Sequence, residues 1–380
     1  MTEYRPVTEP LVVDLVAGAR PNFMKVAPIL RALRAPGSPF APRLVHTGQH
    51  YDEGMSGVFF RDLGIGEPEV SLGVGSGSHG QQTARILAAY EEHLVGSSPR
   101  PAAVVVVGDV NSTMACTLAA VKLGIPVAHV EAGLRSFDRG MPEEINRLVT
   151  DTLGDLLLVS EPAGEENLRR EGIDPGRVVY VGNVMIDTLV RELLAARALG
   201  VGERLGLGAS GYAYVTLHRP SNVDDPARLA RLVSLLGTLG ARLPVAFPVH
   251  PRTRERLRAA GLEAALAGSA GVRLLEPLGY RESLGLMAGA RIVLTDSGGV
   301  QEETSHLGVP CLTLRPNTER PVTVSMGTNT VVGEEIERAW PLVEDVLAGR
   351  YKAGQPIPGW DGRAAERVAA SLVARYGDGA

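Results

Sequence analysis

The chain has 380 residues, and two domains are expected at this length because one hydrophobic core rarely serves so many residues. Its net charge of −5 argues against a nucleic-acid partner or an anionic membrane surface, and its longest apolar run, 102–107, is too short to span a membrane. The N-terminus has no apolar signal segment, and Cys116 and Cys311 lie apart in apolar segments, as buried thiols of a reducing compartment do. We therefore expect a cytoplasmic globular protein without a membrane partner.

Apolar runs alternate with helical patterns along the whole chain. The first half predicts strands at 11–18, 42–48, 103–109, 125–132, 156–160 and 178–183, and helices at 23–34, 80–95, 112–123 and 143–153. The second half predicts strands at 212–218, 244–250, 272–277, 291–297, 310–314 and 329–333, and helices at 227–240, 300–307 and 363–376. Strands without polar alternation are typical of parallel sheets buried on both faces. The pattern therefore predicts an α/β protein with two doubly wound halves, connected through 184–210.

Polar residues collect where the predicted strands end. They are Arg20, Gln49, His50, Asp109, Glu131, His218, Arg219, His250, Asp296, Ser297 and Arg315. The carboxyl ends of parallel strands line the ligand crevice of such sheets. Two edges of this kind that face each other would form one cleft between domains, and we expect the active site there.

The segment 127–147, VAHVEAGLRSFDRGMPEEINR, is the most informative part of the chain. Glu131 ends a buried strand, and it must face a cleft or find a partner because burying an unpaired carboxylate is costly. His129 either orients Glu131 or is an ordinary core histidine with its hydrogen bonds satisfied. Asp109 also follows an apolar strand, where it is either an acid–base group or a helix cap.

The same segment predicts a helix that begins at Pro142 and carries Glu143 in its first turn. The helix dipole favours the ionised form of a carboxylate at that position. Arg147 follows four residues later on the same face and is expected to pair with Glu143. The alternative is an ordinary helix start with a surface ion pair.

Two turns indicate phosphate binding. Ser297, Gly298 and Gly299 follow a strand and open a helix, whose N-terminal N–H groups suit an anion, although a simple tight turn has the same sequence. Arg20 and Lys25 flank the first strand-to-helix turn, either as cations for a diphosphate or as an exposed basic turn, with Asn22 as a candidate N-cap.

Ten segments taken together resemble the non-hydrolysing UDP-N-acetylglucosamine 2-epimerases over nearly the whole chain. They are GARPNFMKVAPIL, HTGQHYDEGM, GSGSHGQQT, VGDVNST, HVEAGLRSFDRGMPEEINR, VGNVMIDTL, TLHRPSNVD, PVHPRT, LTDSGGVQEE and NTERPVTV. The resemblance implies a GT-B-like fold of two Rossmann-like domains with the active site in the interdomain cleft, and a homodimer. We place the N-terminal domain at 1–184 with the returning C-terminal helix at 361–380, and the nucleotide-binding domain at 185–360.

The reaction that the resemblance implies is interconversion of UDP-GlcNAc and UDP-ManNAc. UDP is eliminated to leave a 2-acetamidoglucal and is then added back, so that neither NAD nor a metal is needed. The implied catalytic residues are Asp109, Glu131, Glu143 and His218. The implied UDP-sugar-binding residues are Arg20, Lys25, Arg135, His250, Leu278, Ser283, Ser297, Gly298, Gly299, Glu303 and Arg320.

Departures from the family pattern leave alternatives open. Asn22 stands where the family frequently has glutamate, and Ser283 stands where it usually has an aromatic residue near the uracil. Gln49 and His50 match an allosteric substrate site of some members, but Asp52 departs from that pattern. The alternatives are a same-mechanism epimerase of a modified UDP-amino sugar such as a diacetamido uronic acid, a GT-B glycosyltransferase, a hydrolysing epimerase and a non-catalytic binding protein.

Overall fold

The computed structural model describes residues 9–18, 20–48, 63–208 and 211–377. The chain divides into two compact units, one of residues 1–188 with 359–380 and one of residues 189–358. We call them unit 1 and unit 2. None of the helices in the described ranges is both long and apolar enough to cross a membrane.

Unit 1 is built on a parallel sheet. Its strands are β1 (Leu11–Ala17), β2 (Phe40–His46), β3 (Val70–Ser71), β4 (Ala103–Val107), β5 (Val127–Ala132), β6 (Leu156–Val159) and β7 (Val178–Tyr180). Neighbouring strands pair in the order β3-β2-β1-β4-β5-β6-β7. The connecting helices are α1 (Arg20–Leu33), α2 (His79–Gly96), α3 (Asn111–Lys122), α4 (Pro142–Leu153), α5 (Pro162–Arg170) and α6 (Val184–Ala198), the last of which continues into unit 2.

Unit 2 repeats this architecture. Its strands are β8 (Ala213–Thr216), β9 (Val245–Pro248), β10 (Val272–Leu275), β11 (Ile292–Thr295), β12 (Cys311–Thr313) and β13 (Asn329–Val331), ordered β10-β9-β8-β11-β12-β13. Its further helices are α7 (Val201–Arg204), α8 (Pro220–Val223), α9 (Pro226–Gly240), α10 (Pro251–Ala259), α11 (Glu263–Ala267), α12 (Tyr280–Gly289), α13 (Gly298–Leu307), α14 (Pro321–Ser325) and α15 (Ala339–Leu347). In both sheets the strand order reverses beside the first strand, which is where doubly wound sheets bind ligands.

The sequence pattern and the sheets agree because the central strands are buried on both faces. Every residue of β4 and β5 is buried, as the unbroken apolar runs predict. The predicted strands are confirmed with ends trimmed or shifted by one to three residues, whereas the two residues of β3 are too few to show a period. Both cysteines are buried, and α1 continues through Pro28.

The last helix, α16 (Ala364–Tyr376), packs in unit 1 against α1. The Asp187 carboxylate accepts hydrogen bonds from the backbone N–H groups of Ala364 and Ala365, at 3.0 and 2.7 Å, and so caps the helix. Burial raises the pKa of Asp187, although these two N–H groups act against the rise. The approach to α16 is tight, because a Cβ on Gly182 would lie 2.0 Å from the carbonyl oxygen of Gly359.

Gly182→Ala tests this close approach, and Gly37→Ala is a matched control. Both glycines have a positive φ, +82° and +84°, but a Cβ on Gly37 meets no atom within 4 Å. We expect Gly37→Ala to cost about 1 kcal/mol of unfolding free energy and Gly182→Ala about 3 kcal/mol, because only the second must also displace backbone. Urea unfolding followed by circular dichroism measures both, and equal losses would contradict the packing described for α16.

Candidate active site

The side chain of Asn22 joins β1 and β4, the two strands on either side of the point where the strand order of unit 1 reverses. The Asn22 Oδ1 accepts from the backbone N–H of Gly18 at 3.3 Å, and its Nδ2 donates to the carbonyl of Val107 at 2.9 Å. The expected N-cap role for Asn22 is wrong, because α1 begins two residues earlier, at Arg20. Asn22 instead ties together the ends of the two strands that border the ligand crevice.

Glu131 is held against Lys25 at the end of β5. Its backbone is left-handed, with φ +73°, and the pairing of β5 with β6 shifts register there. The carboxylate Oε2 contacts the Lys25 Nζ, and both side chains are at most 10% exposed. The sequence predicts a diphosphate contact for Lys25, and the structure places its ammonium group on this carboxylate, so that the diphosphate contact stays a prediction. Non-glycine residues in this conformation are strained, and such strain is concentrated at functional sites.

Asp109 lies one strand away and is held by Arg147 of α4. The guanidinium donates to the Asp109 Oδ2 from Nε at 3.0 Å and from Nη2 at 2.7 Å. The side chain of Asp109 keeps 29% of its surface exposed, so that it is accessible to a ligand. Glu143 is half-buried in the first turn of α4, as predicted.

The neighbouring Glu144 has a different task. It is buried, and its carboxylate accepts from the N–H groups of Ser136 and Phe137 at 2.9 and 3.0 Å and from Arg147 at 2.5 Å. Glu144 therefore shapes the loop between β5 and α4. The sequence alone does not distinguish it from Glu143, because two adjacent glutamates in a first turn give no signal of which one faces inward.

Arg135 is fully buried and bound to protein groups. It donates to both oxygens of Glu171, at 2.8 and 2.7 Å, and contacts the Oδ2 of Asp151 at 2.7 Å. The guanidinium of Arg135 is thus occupied by protein carboxylates, and its predicted substrate contact stays a prediction. His129 is a buried core histidine that bonds to Asp151 rather than to Glu131.

The switch point of unit 2 holds a histidine–aspartate pair. Asp296 follows β11, and its carboxylate accepts from the backbone N–H groups of His218 and Arg219 and from the Nδ2 of Asn222, all at 3.0–3.1 Å. The His218 Nδ1 lies 3.2 Å from the same carboxylate. Burial acts to raise the pKa of Asp296, but these donors lower it overall, so the group stays ionised. His218 is thereby oriented, with its side chain 37% exposed.

The predicted phosphate turn opens α13. Ser297 occupies the N-cap position, and its side chain makes no cap hydrogen bond. A Cβ on Gly298 would lie 2.9 Å from the Nη1 of Arg320, so the arginine lies over the first helical residue, next to half-buried Gly299. The Arg320 Nε donates to Glu302 at 2.6 Å. A helix N-terminus, which favours anions, and an arginine that is ion-paired with Glu302 therefore lie together at this turn.

Glu303 lies on the same helix and is buried. Burial, helped by the charge of Glu302, raises the pKa of its carboxyl group to about 7, although a hydrogen bond from the Tyr280 hydroxyl acts against the rise. That hydroxyl lies 2.8 Å from the Glu303 Oε1. Glu303 therefore changes charge near neutral pH.

A pocket of about 150 Å³ opens at the carboxyl ends of the unit 2 strands. It brings together four residues predicted from the sequence: His218, His250, Leu278 and Ser283. The rings of His218 and His250 are 5.6 Å apart, and His250 also caps α10 by accepting from the backbone N–H of Arg252. The Ser283 hydroxyl shares a 2.5 Å hydrogen bond with the Tyr214 hydroxyl.

Three predicted residues cannot be placed. The side chain of Arg20 and the residues Gln49 and His50 lie outside the described part of the chain. Their assignments to the diphosphate and to an allosteric site stay predictions.

Comparisons with known proteins agree over nearly the whole chain. The sequence profile of the UDP-N-acetylglucosamine 2-epimerases matches residues 33–373. A UDP-N-acetylglucosamine 2-epimerase of Methanocaldococcus jannaschii is 40% identical over 367 residues, which are 95% of this chain and 98% of the relative. A UDP-2,3-diacetamido-2,3-dideoxy-D-glucuronate 2-epimerase of Pseudomonas aeruginosa is 41% identical over 322 residues, 84% of this chain and 87% of the relative.

A solved structure gives the same result for the fold. The crystal structure of the Methanocaldococcus jannaschii enzyme in complex with UDP-GlcNAc and UDP matches with a TM-score of 0.87, at 40% identity, over 96% of this chain and 100% of that chain. This agreement confirms the α/β fold with two parallel sheets. The chain belongs to the UDP-N-acetylglucosamine 2-epimerase family and is an isomerase of the 2-epimerase type.

Proposed function

We propose that the protein interconverts UDP-GlcNAc and UDP-ManNAc. The relatives named UDP-N-acetylglucosamine 2-epimerase, and the related crystal structure containing UDP-GlcNAc and UDP, support this substrate. From the family resemblance we also infer that the protein is a homodimer.

The proposed reaction needs proton transfer at C2 and cleavage at C1. A carboxylate removes the C2 proton while the C1–O bond breaks and UDP leaves, which gives a 2-acetamidoglucal. UDP then adds back to C1, and an acid returns a proton to C2 on the opposite face, so that C2 is inverted and nothing is oxidised. We assign the proton transfers to Asp109, Glu131 and Glu143 of unit 1.

Unit 2 supplies groups suited to the leaving diphosphate and its nucleoside. The α13 N-terminus with Arg320 offers positive potential to phosphate oxygens, and His218 is held ready to donate a hydrogen bond. Glu303 suits the ribose hydroxyls as a hydrogen-bond acceptor. The pocket bordered by Leu278 and Ser283 suits the base.

The observation that carries the proposal is Glu131. Its carboxylate lies at the carboxyl end of a central strand, contacts a lysine and is held in a strained backbone conformation. Strain of this kind is concentrated at functional sites, and a carboxylate there suits general acid–base catalysis. Asp109, which follows the adjacent strand, also suits this role, because it is paired with Arg147 and yet partly exposed. A glycosyltransferase would need only one such base.

A second candidate is the same reaction on a diacetamido uronic acid linked to UDP. The relative from Pseudomonas aeruginosa has that name and is as similar in sequence as the relative from Methanocaldococcus jannaschii. Proton NMR of the protein with each UDP-sugar in D2O separates the candidates. UDP-ManNAc carrying deuterium at C2 is the result expected with UDP-GlcNAc. Turnover of the diacetamido sugar alone would favour the second candidate, and free ManNAc with UDP would indicate hydrolysis.

Replacing the carboxylates tests their assignment. We expect Asp109→Asn, Glu131→Gln and Glu143→Gln each to lower kcat by about 10²- to 10⁴-fold, which is the usual contribution of general acid–base groups. The Kd of UDP should stay within about threefold, because the proposed nucleotide groups belong to unit 2. In each variant, C2 deuterium incorporation is compared with epimerisation, starting once from UDP-GlcNAc and once from UDP-ManNAc. The two epimers carry the C2 proton on opposite faces, so that this comparison would assign the face on which each group acts.

Glu165→Gln is the matched control, because Glu165 also lies in a first turn that begins with a proline, that of α5. It should leave kcat unchanged. Full activity in any of the three carboxylate variants would remove that residue from the mechanism.

The pKa of Glu303 gives a pH prediction. The carboxyl group is protonated below about pH 7 and ionised above it, and an ionised carboxylate is the stronger acceptor for ribose hydroxyls. The affinity of the wild type for UDP, relative to Glu303→Gln, should therefore rise by about threefold or more between pH 6 and pH 8. Isothermal titration calorimetry measures the Kd of UDP for both proteins at each pH. Because UDP itself titrates in the same way in both experiments, the ratio of the two Kd values reports the ionisation of Glu303. Parallel pH curves would show that Glu303 does not bind the ribose.

A further inference from the structure

A chain of buried charged groups lies behind the carboxylates of unit 1. The Asp151 carboxylate, near the end of α4, is fully buried and accepts from His129 Nδ1 at 2.7 Å and from the backbone N–H of Gly133 at 3.0 Å. Its Oδ2 also contacts the Arg135 Nη1 at 2.7 Å, and Arg135 continues the chain to Glu171. The charges of His129 and Arg135 lower the pKa of Asp151 although burial opposes them, so that Asp151 is ionised.

His129 connects this carboxylate to β4. Its Nε2 lies 2.8 Å from the carbonyl oxygen of Gly108, which can only accept a hydrogen bond. Its Nδ1 faces the ionised Asp151, which also only accepts. Both contacts are satisfied only when each ring nitrogen carries a proton.

The two hydrogen bonds that Asp151 accepts from β5 and the residue after it come from either side of Glu131 in the chain. His129 lies two residues before the left-handed Glu131, and Gly133 lies two residues after it. Asp151 therefore holds both ends of the short segment that keeps Glu131 in its strained conformation.

The positions of Asp109 and Glu143 also depend on Asp151, each through different contacts. Through His129, Asp151 holds the carbonyl of Gly108, the residue immediately before Asp109. Glu143 lies on the same helix as Asp151, eight residues earlier, so that the helix rise separates them by about 12 Å. A shift of Asp151 relative to β5 is therefore transmitted to Glu143 and to Arg147, which binds Asp109.

We propose that Asp151 is a positioning residue that, with His129, sets the mutual placement of Asp109, Glu131 and Glu143. This inference rests on the proposed function, because it takes these three carboxylates as the proton-transferring groups. Asp151 itself is fully buried and does not touch substrate. Its role is to fix the distances on which proton transfer at C2 depends, since small misplacements of reacting groups cost large rate factors.

Asp151→Asn removes the negative charge and puts an amide where three donors converge. We expect kcat to fall by about 10²-fold, while the Kd of UDP stays within about threefold. The ratio of C2 deuterium exchange to epimerisation should rise, because proton return on the second face depends on the spacing of the carboxylates.

Asp14→Asn is the matched control for burial and charge. Asp14 is also fully buried in unit 1 and also accepts from an arginine, a histidine and one further donor: Arg43, His93 and Tyr90. Both variants should lose stability, but Asp14→Asn should keep kcat within about threefold of the wild type when measured well below its unfolding temperature.

The double variant with His129→Gln decides whether the two residues act as one unit. We expect His129→Gln/Asp151→Asn to be no slower than Asp151→Asn alone, within about threefold, because residues of one network are not additive. Multiplied losses would overturn the proposal, as would a kcat of Asp151→Asn equal to that of Asp14→Asn. If Asp151→Asn does not fold, His129→Gln decides, with a loss of about tenfold or more supporting the role and unchanged kcat overturning it.

The wild type in the same assay separates this proposal from the one on which it rests. An inactive wild type would overturn the proposed function and the positioning role together. An active wild type with an unaffected Asp151→Asn would overturn the positioning role alone.

Discussion

Buried charge must be paired, and this constraint organises the carboxyl edge of the sheet in unit 1. A central strand of a parallel sheet has no solvent face, so that a carboxylate at its end is costly unless a cation meets it. Glu131 meets Lys25, and Asp109 meets Arg147. Lys25 comes from α1, which follows β1, and Arg147 comes from α4, which follows β5. The sheet edge and the surrounding helices are therefore fixed to each other by the groups that we assign to chemistry.

Two buried carboxylates of unit 2, Asp296 and Glu303, have surroundings different from those of Glu131 and Asp109, and the directions of their pKa shifts follow from those surroundings. Asp296 is surrounded by backbone and side-chain N–H donors, which keep it ionised and allow it to orient His218. Glu303 has instead a tyrosine hydroxyl and a neighbouring carboxylate, and its pKa rises to about 7. Unit 2 thus holds Asp296 as a permanent charge that orients His218, together with Glu303, which ionises near neutrality.

The strands and the strand-end clusters could be predicted because they follow from local patterns. Unbroken apolar runs mark buried parallel strands, and polar residues that follow them must lie at the carboxyl edge. That reasoning places Asp109, Glu131, His218 and Ser297 at the carboxyl ends of strands. The strand order, which the structure supplies, puts Asp109 beside Glu131 and His218 beside Ser297. The two-residue strand β3 has no period to detect, and Asn22 resembles a helix cap in sequence although it joins two strands.

What sequence could not supply is the choice among chemically equivalent partners. The sequence assigns Lys25 and Arg135 to an anionic substrate and Arg147 to a pair with Glu143. In the structure Lys25 contacts Glu131, Arg147 binds both Asp109 and Glu144, and Arg135 is buried against Asp151 and Glu171. That difference depends on contacts between residues 106, 16 and 38 positions apart, and no window of sequence contains it. Asp151 is the clearest case, because nothing local separates it from an ordinary aspartate at the end of a helix. Only its three converging donors show that the helix carrying Glu143 and the strand carrying Glu131 are fixed to each other at this one carboxylate.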